Sequence, residues 1–326
     1  MPDVNLSLML AGVVAGATPI VLAALGETIT EKAGVINLSL DGSILLSAMA
    51  AFVVAYLSQS LVAGFLAGAL VGAAMAALVA VFSLHLKQSQ VAVGFVLTLT
   101  AKDLAYFWGN PYARLAGPQV SIHPIAPLHK IPLLGEVLFS HSWPVYFSFI
   151  LIALCWWYMY KTPMGLQLRC IGEHPQAAYA RTLDPRRQQM VYAIIGGLLV
   201  GLAGATFALA VKPGWGRPQG AEGTGWIALA LVIFGGWHPL KVAIGAYLFS
   251  FLQVMGIYFQ TWMPSVPAQV FQVAPFPLMI FTLLLMSLAQ KESIANAAAG
   301  RPWLQPLLKF FSSRAPSALG KPFRLG

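Results

Sequence analysis

Charge is what this sequence has least of. Only 9% of its 326 residues are Asp, Glu, Lys or Arg, where an ordinary soluble domain carries about 25%. So few charges cannot cover the surface of a soluble protein of this length. Cysteine is almost missing: Cys155 lies in an apolar run and Cys170 in a basic stretch, which excludes a disulfide framework and a paired-cysteine metal site. No P-loop, G-x-S-x-G or H-E-x-x-H pattern occurs. The six histidines (85, 123, 129, 141, 174 and 238) are scattered along the chain and make no metal-ligand set. No cofactor is expected, and the chain is not expected to be an enzyme. The first apolar run lacks a basic leading region and a small-residue cleavage site, so it is expected to be a retained helix and not a signal peptide.

What fills the sequence instead is long apolar runs. Hydrophobic residues make up 58% of the chain. Apolar segments fall near 5–25, 38–58, 61–84, 90–108, 144–160, 188–211, 224–237, 242–260 and 270–289, most of them long enough, at about 18 residues or more, to cross a bilayer. The expected fold is all-α: a polytopic membrane helix bundle of about nine transmembrane helices. The short run at 224–237 reads as a broken or re-entrant element. The stretch from Gly26 to Asn37 is too polar for a helix facing lipid. Gly64, Gly68 and Gly72 share one face of the third helix, and Gly197, Gly201 and Ala205 one face of the sixth; such small-residue faces let helices approach closely.

The excess of basic residues, +9 overall, is better explained by orientation in a membrane lipid bilayer than by nucleic acid, which is not expected as a partner. Lys161, Arg169, Arg181, Arg186 and Arg187 lie between the fifth and sixth segments, and Lys291, Arg301, Lys309, Arg314, Lys321 and Arg324 follow the last. Both groups belong on the cytoplasmic side. Four crossings separate them, as shared sidedness requires. Counting back puts the N-terminus and the loop 109–143 outside. The expected organisation is a transmembrane domain over 1–290, including a cytoplasmic loop 161–187, and a cytoplasmic tail over 291–326.

Three blocks stand out. The first, Gly26–Gly42, sets acids, a base and Asn37 between two apolar helices. Asp41 then enters the second of them, where a carboxylate costs about 2.5–3.5 kcal/mol at the centre of a span. Asp41 either faces a wet path with Asn37 and Ser43 as neighbours or caps its own helix. The second block, Thr162–Arg181, holds a helix-favouring stretch Gln176–Leu183 that opens at Pro175, stops at Asp184-Pro185, and follows a turn at Gly172. Such a helix suits docking into a partner's groove; the alternative is a helix lying on anionic lipid. The third, Gly223–Leu240, brackets a short apolar run with glycines. Interrupted segments of that kind line translocation paths, and Trp226 there is either a stacking surface or an interface anchor.

The run ALGETITEKAGVINLSLDGSILLSA resembles the signature of permease subunits of ABC importers for nucleosides and simple sugars, within the branched-chain amino acid/ribose permease superfamily. TPMGLQLRCIGEHPQAAYA is similar to that family's cytoplasmic loop, GTGWIALALVIFGGWHPL to its later membrane motif, and RAPSALGKPF to its tail. The resemblance runs through nearly the whole chain, in order. It implies an inner (plasma) membrane permease that forms half of a path for a nucleoside, simple sugar or similar small polar solute. The implied partners are an ABC ATPase subunit, a second homologous permease and a periplasmic or lipid-anchored substrate-binding protein. It further implies that Gly172, Glu173, His174, Pro175, Ala177, Ala178 and Arg181 engage the ATPase. Asn37, Asp41, Ser43, Thr98 and Trp226 are the candidates for the path. Asp41 stands where the family more often has Glu, and Thr98 and Thr100 lie where Asn is common, departures that bear on the solute. The rival reading is an ion-coupled secondary transporter, which would need midplane coupling-ion sites; Glu27, Asp41 and Glu222 are the acids available for one.

Overall fold

The computed structural model describes residues 6–132, 134–263, 314–321 and 323, with a few positions between 266 and 284. Among these, eleven α-helices follow in order: α1 (Leu6–Lys32), α2 (Leu40–Ser58), α3 (Leu61–Ala80), α4 (Gln90–Gly109), α5 (Leu134–Phe139), α6 (Trp143–Lys161), α7 (Pro163–Glu173), α8 (Pro175–Ala180), α9 (Pro185–Thr206), α10 (Thr224–Phe234) and α11 (Pro239–Trp262). Short π-helical turns extend α3 through His85 and α9 through Val211. Seven of the helices are long and apolar enough to cross a membrane. With only eleven residues, α10 is about 16 Å long and cannot cross alone. The segment expected at 270–289 lies outside the described residues, apart from isolated helical positions.

Helix α9 is the hub of the bundle, packed against α3, α1 and α2. The small-residue faces foreseen on α3 and α9 meet one another. A Cβ on Gly72 would fall inside van der Waals contact of the Gly197 carbonyl and the Gly201 backbone, and one on Gly201 would meet the Gly68 carbonyl. With no hydrophobic effect to drive helix pairing inside lipid, this backbone-to-backbone approach supplies the packing attraction. Towards its inner end, α1 continues past its apolar part into Glu27–Glu31, all buried. The turn spacing puts Glu27 and Glu31 on one face, turned to protein and not to lipid.

The two ends of the bundle are distinct. Ser7, at the start of α1, hydrogen-bonds Glu136 of α5, so the N-terminal end of α1 adjoins the loop between α4 and α6. At the opposite end, α7 packs on the end of α1, and Ala318 and Gly320 bond to α7 and to the α1–α2 turn respectively. These pairings put the N-terminal end of α1 with the 109–143 loop at one end and 161–187 with the described tail residues at the other, and the two ends are called outer and inner after the expectation from the basic residues.

Candidate functional site

The α1–α2 turn returns to the middle of the bundle before α2 begins. Thr98, nine residues into the twenty of α4, donates its hydroxyl to the Leu38 carbonyl at 2.7 Å. The polar residues of this turn satisfy one another. Asn37 donates its N–H to Glu27 Oε1 at 2.9 Å, and Asn37 Oδ1 accepts from the N–H and hydroxyl of Ser39 at 3.1 and 2.6 Å. The Ser39 and Ser43 hydroxyls are 3.1 Å apart. Asn37, Ser39, Ser43 and Thr98 are all buried.

Asp41 does not cap its own helix, whose N-cap is Ser39. It caps another: Asp41 Oδ1 accepts from Gly225 N at 3.1 Å, in the first turn of α10. The half-helix therefore begins beside the middle of α4 and runs towards the inner end, where Trp237 donates its indole N–H to Glu31. An N-terminus held in the interior presents unsatisfied N–H groups and the positive end of a helix dipole. One buried carboxylate, Asp41, answers it. Lys102 and Glu222 lie within electrostatic reach of Asp41.

The chain reaches α10 through the segment 212–223, which descends along α4. Trp215 packs on Gly109 and stacks obliquely on Tyr106 with ring centroids 5.7 Å apart, and the Arg217 guanidinium sits 4.8 Å from the Tyr106 ring centre. Glu222 anchors the segment, accepting from the Tyr106 hydroxyl and from the N–H groups of Gln219 and Gly220. Burial alone would raise the Glu222 pKa, but these donors together hold it below the usual carboxylate value. A cavity of about 300 Å³ opens at the outer mouth of this segment, lined by Arg114, Lys212, Trp215 and Gln219 among others. Of the five path candidates, Asn37, Asp41, Ser43, Thr98 and Trp226, Trp226 alone is exposed, at 38%, one position beyond the Asp41 contact.

Sequence reasoning passed over two residues in plain sight. Lys102 and Asp103 stand in the middle of α4, Lys102 half-buried and Asp103 exposed. Asp103 shares its stripe with Val96, Leu99, Thr100 and Phe107, all exposed. A charge at the centre of a lipid-facing span costs about 2.5–3.5 kcal/mol, so this face belongs against water or protein. Glu31, Tyr106 and Gln90 were also missed; Gln90 Oε1 accepts from Ile36 N at 2.8 Å. The i, i+4 spacing of Glu27 and Glu31 was the signal available for Glu31.

The loop 161–187 is more ordered than its sequence suggests. Thr162 accepts from Gly165 N at 3.0 Å and Pro163 occupies the first position of α7, so a second helix forms where none was expected. Gly172 therefore does not make a turn; it lies buried within α7, where a Cβ would run into the Lys32 carbonyl. Pro175 does open a helix, α8, but this ends at Ala180, before the expected Leu183, and Thr182 follows in the left-handed region at φ 67°. Asp184 and Pro185 do not merely stop it: they cap and start α9. Ala178 is wholly buried, while His174, Ala177 and Arg181 are exposed. Glu173 accepts from Ser317 of the tail.

Residues 9–283 match the family described as branched-chain amino acid transport system / permease component. The chain is 35% identical over 257 residues, 78% of each chain, to the putative glucose ABC transporter permease protein TsgC13 of Haloferax volcanii. It is 28% identical over 316 residues to the nucleoside ABC transporter permease protein NupC of Lactococcus lactis subsp. cremoris, covering 91% of this chain and 96% of that one. It is also 28% identical over 319 residues, 92% and 97% of the two chains, to the guanosine ABC transporter permease protein NupQ of Bacillus subtilis. No solved structure matches.

Proposed function

Because the chain belongs to the branched-chain amino acid transport system / permease component family, a multi-pass inner-membrane permease of an ABC importer, we propose that it carries a nucleoside or a simple sugar through a path built on the half-helix α10. The observation that carries this reading is the meeting of the α10 N-terminus with Asp41 halfway along α4. Interrupted helices whose N-termini point into the bundle are where transporters hold polar solutes near the midplane. Around that point the chain gathers hydroxyl, amide, carboxylate and aromatic groups: Asn37, Ser43, Thr98, Asp41, Trp226. A hydroxyl-rich, ring-bearing solute needs such partners. Nucleoside and glucose permeases among the relatives fit that chemistry.

The path is shared. The exposed stripe of α4 around Asp103 faces a second, homologous permease across a wet seam. This chain is passive, with no catalytic role; force reaches it from an ATPase subunit docked on the exposed side of the α7–α8 loop through His174, Ala177 and Arg181, with Gly172, Glu173, Pro175 and Ala178 shaping the loop from within. An external substrate-binding protein delivers the solute to the outer mouth. The test is purification of the chain from its native membrane under mild detergent. A co-purifying ATP-hydrolysing subunit and second permease are expected, and the partner binding protein should bind nucleosides or sugars in a calorimetric screen. Recovery of the chain without any ATPase, or a binding protein selective for amino acids, would overturn the reading.

A further inference from the structure

The tail does not hang free where it is described. Residues 314–321 and 323 form a strap across the inner end of the bundle, and it is held at two places. On the loop side, Ala318 N donates to the Gly172 carbonyl at 2.9 Å. The Ser317 N–H and hydroxyl donate to Glu173 Oε2 at 3.1 and 2.8 Å. Phe323 packs against the Tyr179 ring, with centroids 5.6 Å apart, and under the Arg186 guanidinium, which also donates to the Phe323 carbonyl at 3.4 Å. On the other side, Gly320 N donates to the Gly34 carbonyl at 3.1 Å, and a Cβ at Gly320 would press on Ile36. Ala318 and Phe323 are both 7% exposed, so the strap is packed and not merely resting on the surface.

The two places have different meanings. The first is the α7–α8 loop. The second is the α1–α2 turn, which within a few residues becomes Asn37, Ser39 and Asp41, the polar residues at the middle of the bundle. Gly320 stands at φ +73°, a conformation open to glycine and strained for other residues, so the bend that lets one short segment reach both places is specified at a single position. Main-chain hydrogen bonds at both ends make the strap stiff enough to convert a shift of the loop into a shift of the turn. Direct contact between α7 and the turn also exists, Gly172 lying against Lys32 and Gly34, and the strap reaches two residues further along the turn, to Ile36.

We propose that the strap is the link that carries movement of the α7–α8 loop to the α1–α2 turn, with Glu173, Ser317, Gly320 and Phe323 as its positioning residues. The proposal rests on the reading of that loop as the ATPase contact, and it assigns the tail a part in every transport cycle. Switching elements of this kind work as packed pieces with two arrangements that a partner biases.

The experiment uses the whole complex, co-purified with its ATPase, with the native cysteines replaced (Cys155→Ala, Cys170→Ser) and Leu38→Cys added as a reporter on the turn. Maleimide labelling is timed without nucleotide and with ATP and vanadate. Three chains are compared: full length, one ending at Ser313, and Gly320→Val. In the full chain the labelling rate should change by about threefold or more between the two conditions, as a shifted population requires. In the other two the change should vanish while ATPase binding and ATP hydrolysis persist. Should the shortened chain fail to reach the membrane, Gly320→Val and Phe323→Ala carry the comparison. An unchanged nucleotide response without the strap, no response in the full chain, or loss of the ATPase itself on strap removal would each overturn the proposal. Ala177→Trp judges the loop reading separately: a complex that keeps its ATPase and normal hydrolysis with that change refutes the loop as the contact, whatever the strap variants do.

Discussion

Asp41 and Gly225 are 184 residues apart in sequence and one hydrogen bond apart in space. That bond separates two roles that a mid-helix carboxylate can play. An amide retains the accepting oxygen, so Asp41→Asn should keep the α10 cap and most of the stability but lose the charge. Asp41→Ala should lose both, lowering stability by about 1 kcal/mol as cap removal does. Thermal unfolding in detergent and solute uptake in vesicles, measured on both variants, separate cap from charge; equal unfolding temperatures for Ala and Asn would contradict the cap. Glu222 makes a second residue-scale case. Its donors hold its pKa below the usual value, so its contribution to stability is fully present above the unfolded-state pKa of about 4.3 and is lost as pH falls through the lower folded value. The difference in unfolding temperature between the wild type and Glu222→Gln should therefore hold from pH 7 down to about 5 and narrow as pH falls below about 4.3. A difference that widens on acidification would contradict the anchoring role.

Among the elements, the α3–α9 seam and α4 make opposite demands. In the seam, backbones meet at Gly72, Gly197 and Gly201; Gly72→Leu should cost about 1–3 kcal/mol by overpacking and reduce the folded yield in the membrane. On α4, Asp103 is exposed, and Asp103→Leu should leave folding intact while lowering uptake if the face meets a wet seam. A rise in membrane abundance with unchanged uptake would instead mark the face as lipid-exposed. The sequence made most of these elements legible because span length and apolarity are local properties, and the small-residue spacing on α3 and α9 is periodic. Thr162-Pro163 carried a cap-and-start signal for α7 that a loop reading overlooked, and Lys102-Asp103 broke an apolar run in full view. The Asp41–Gly225 cap, the burial of Ala178 and the seat of Ala318 on Gly172 were not legible, because each depends on contacts between segments far apart in the chain.

For the whole molecule, the polar turn in the interior, the half-helix and the α7–α8 loop form one continuous structure from the bundle centre to the end that holds the tail. The two ends of the bundle are identified by contact: Ser7 with Glu136 at one, Ser317 with Glu173 at the other. Cysteines at positions 136 and 317 should accordingly label from opposite sides of the membrane. On the proposed reading, the exposed side of α8 receives the ATPase. The measurement that tests it most directly places a photo-activated cross-linking residue at position 177 of the full complex in its native membrane. An adduct with the ATP-hydrolysing subunit is expected, lost when that subunit is absent. Adducts with lipid alone, at normal abundance of the chain and its ATPase, would contradict it.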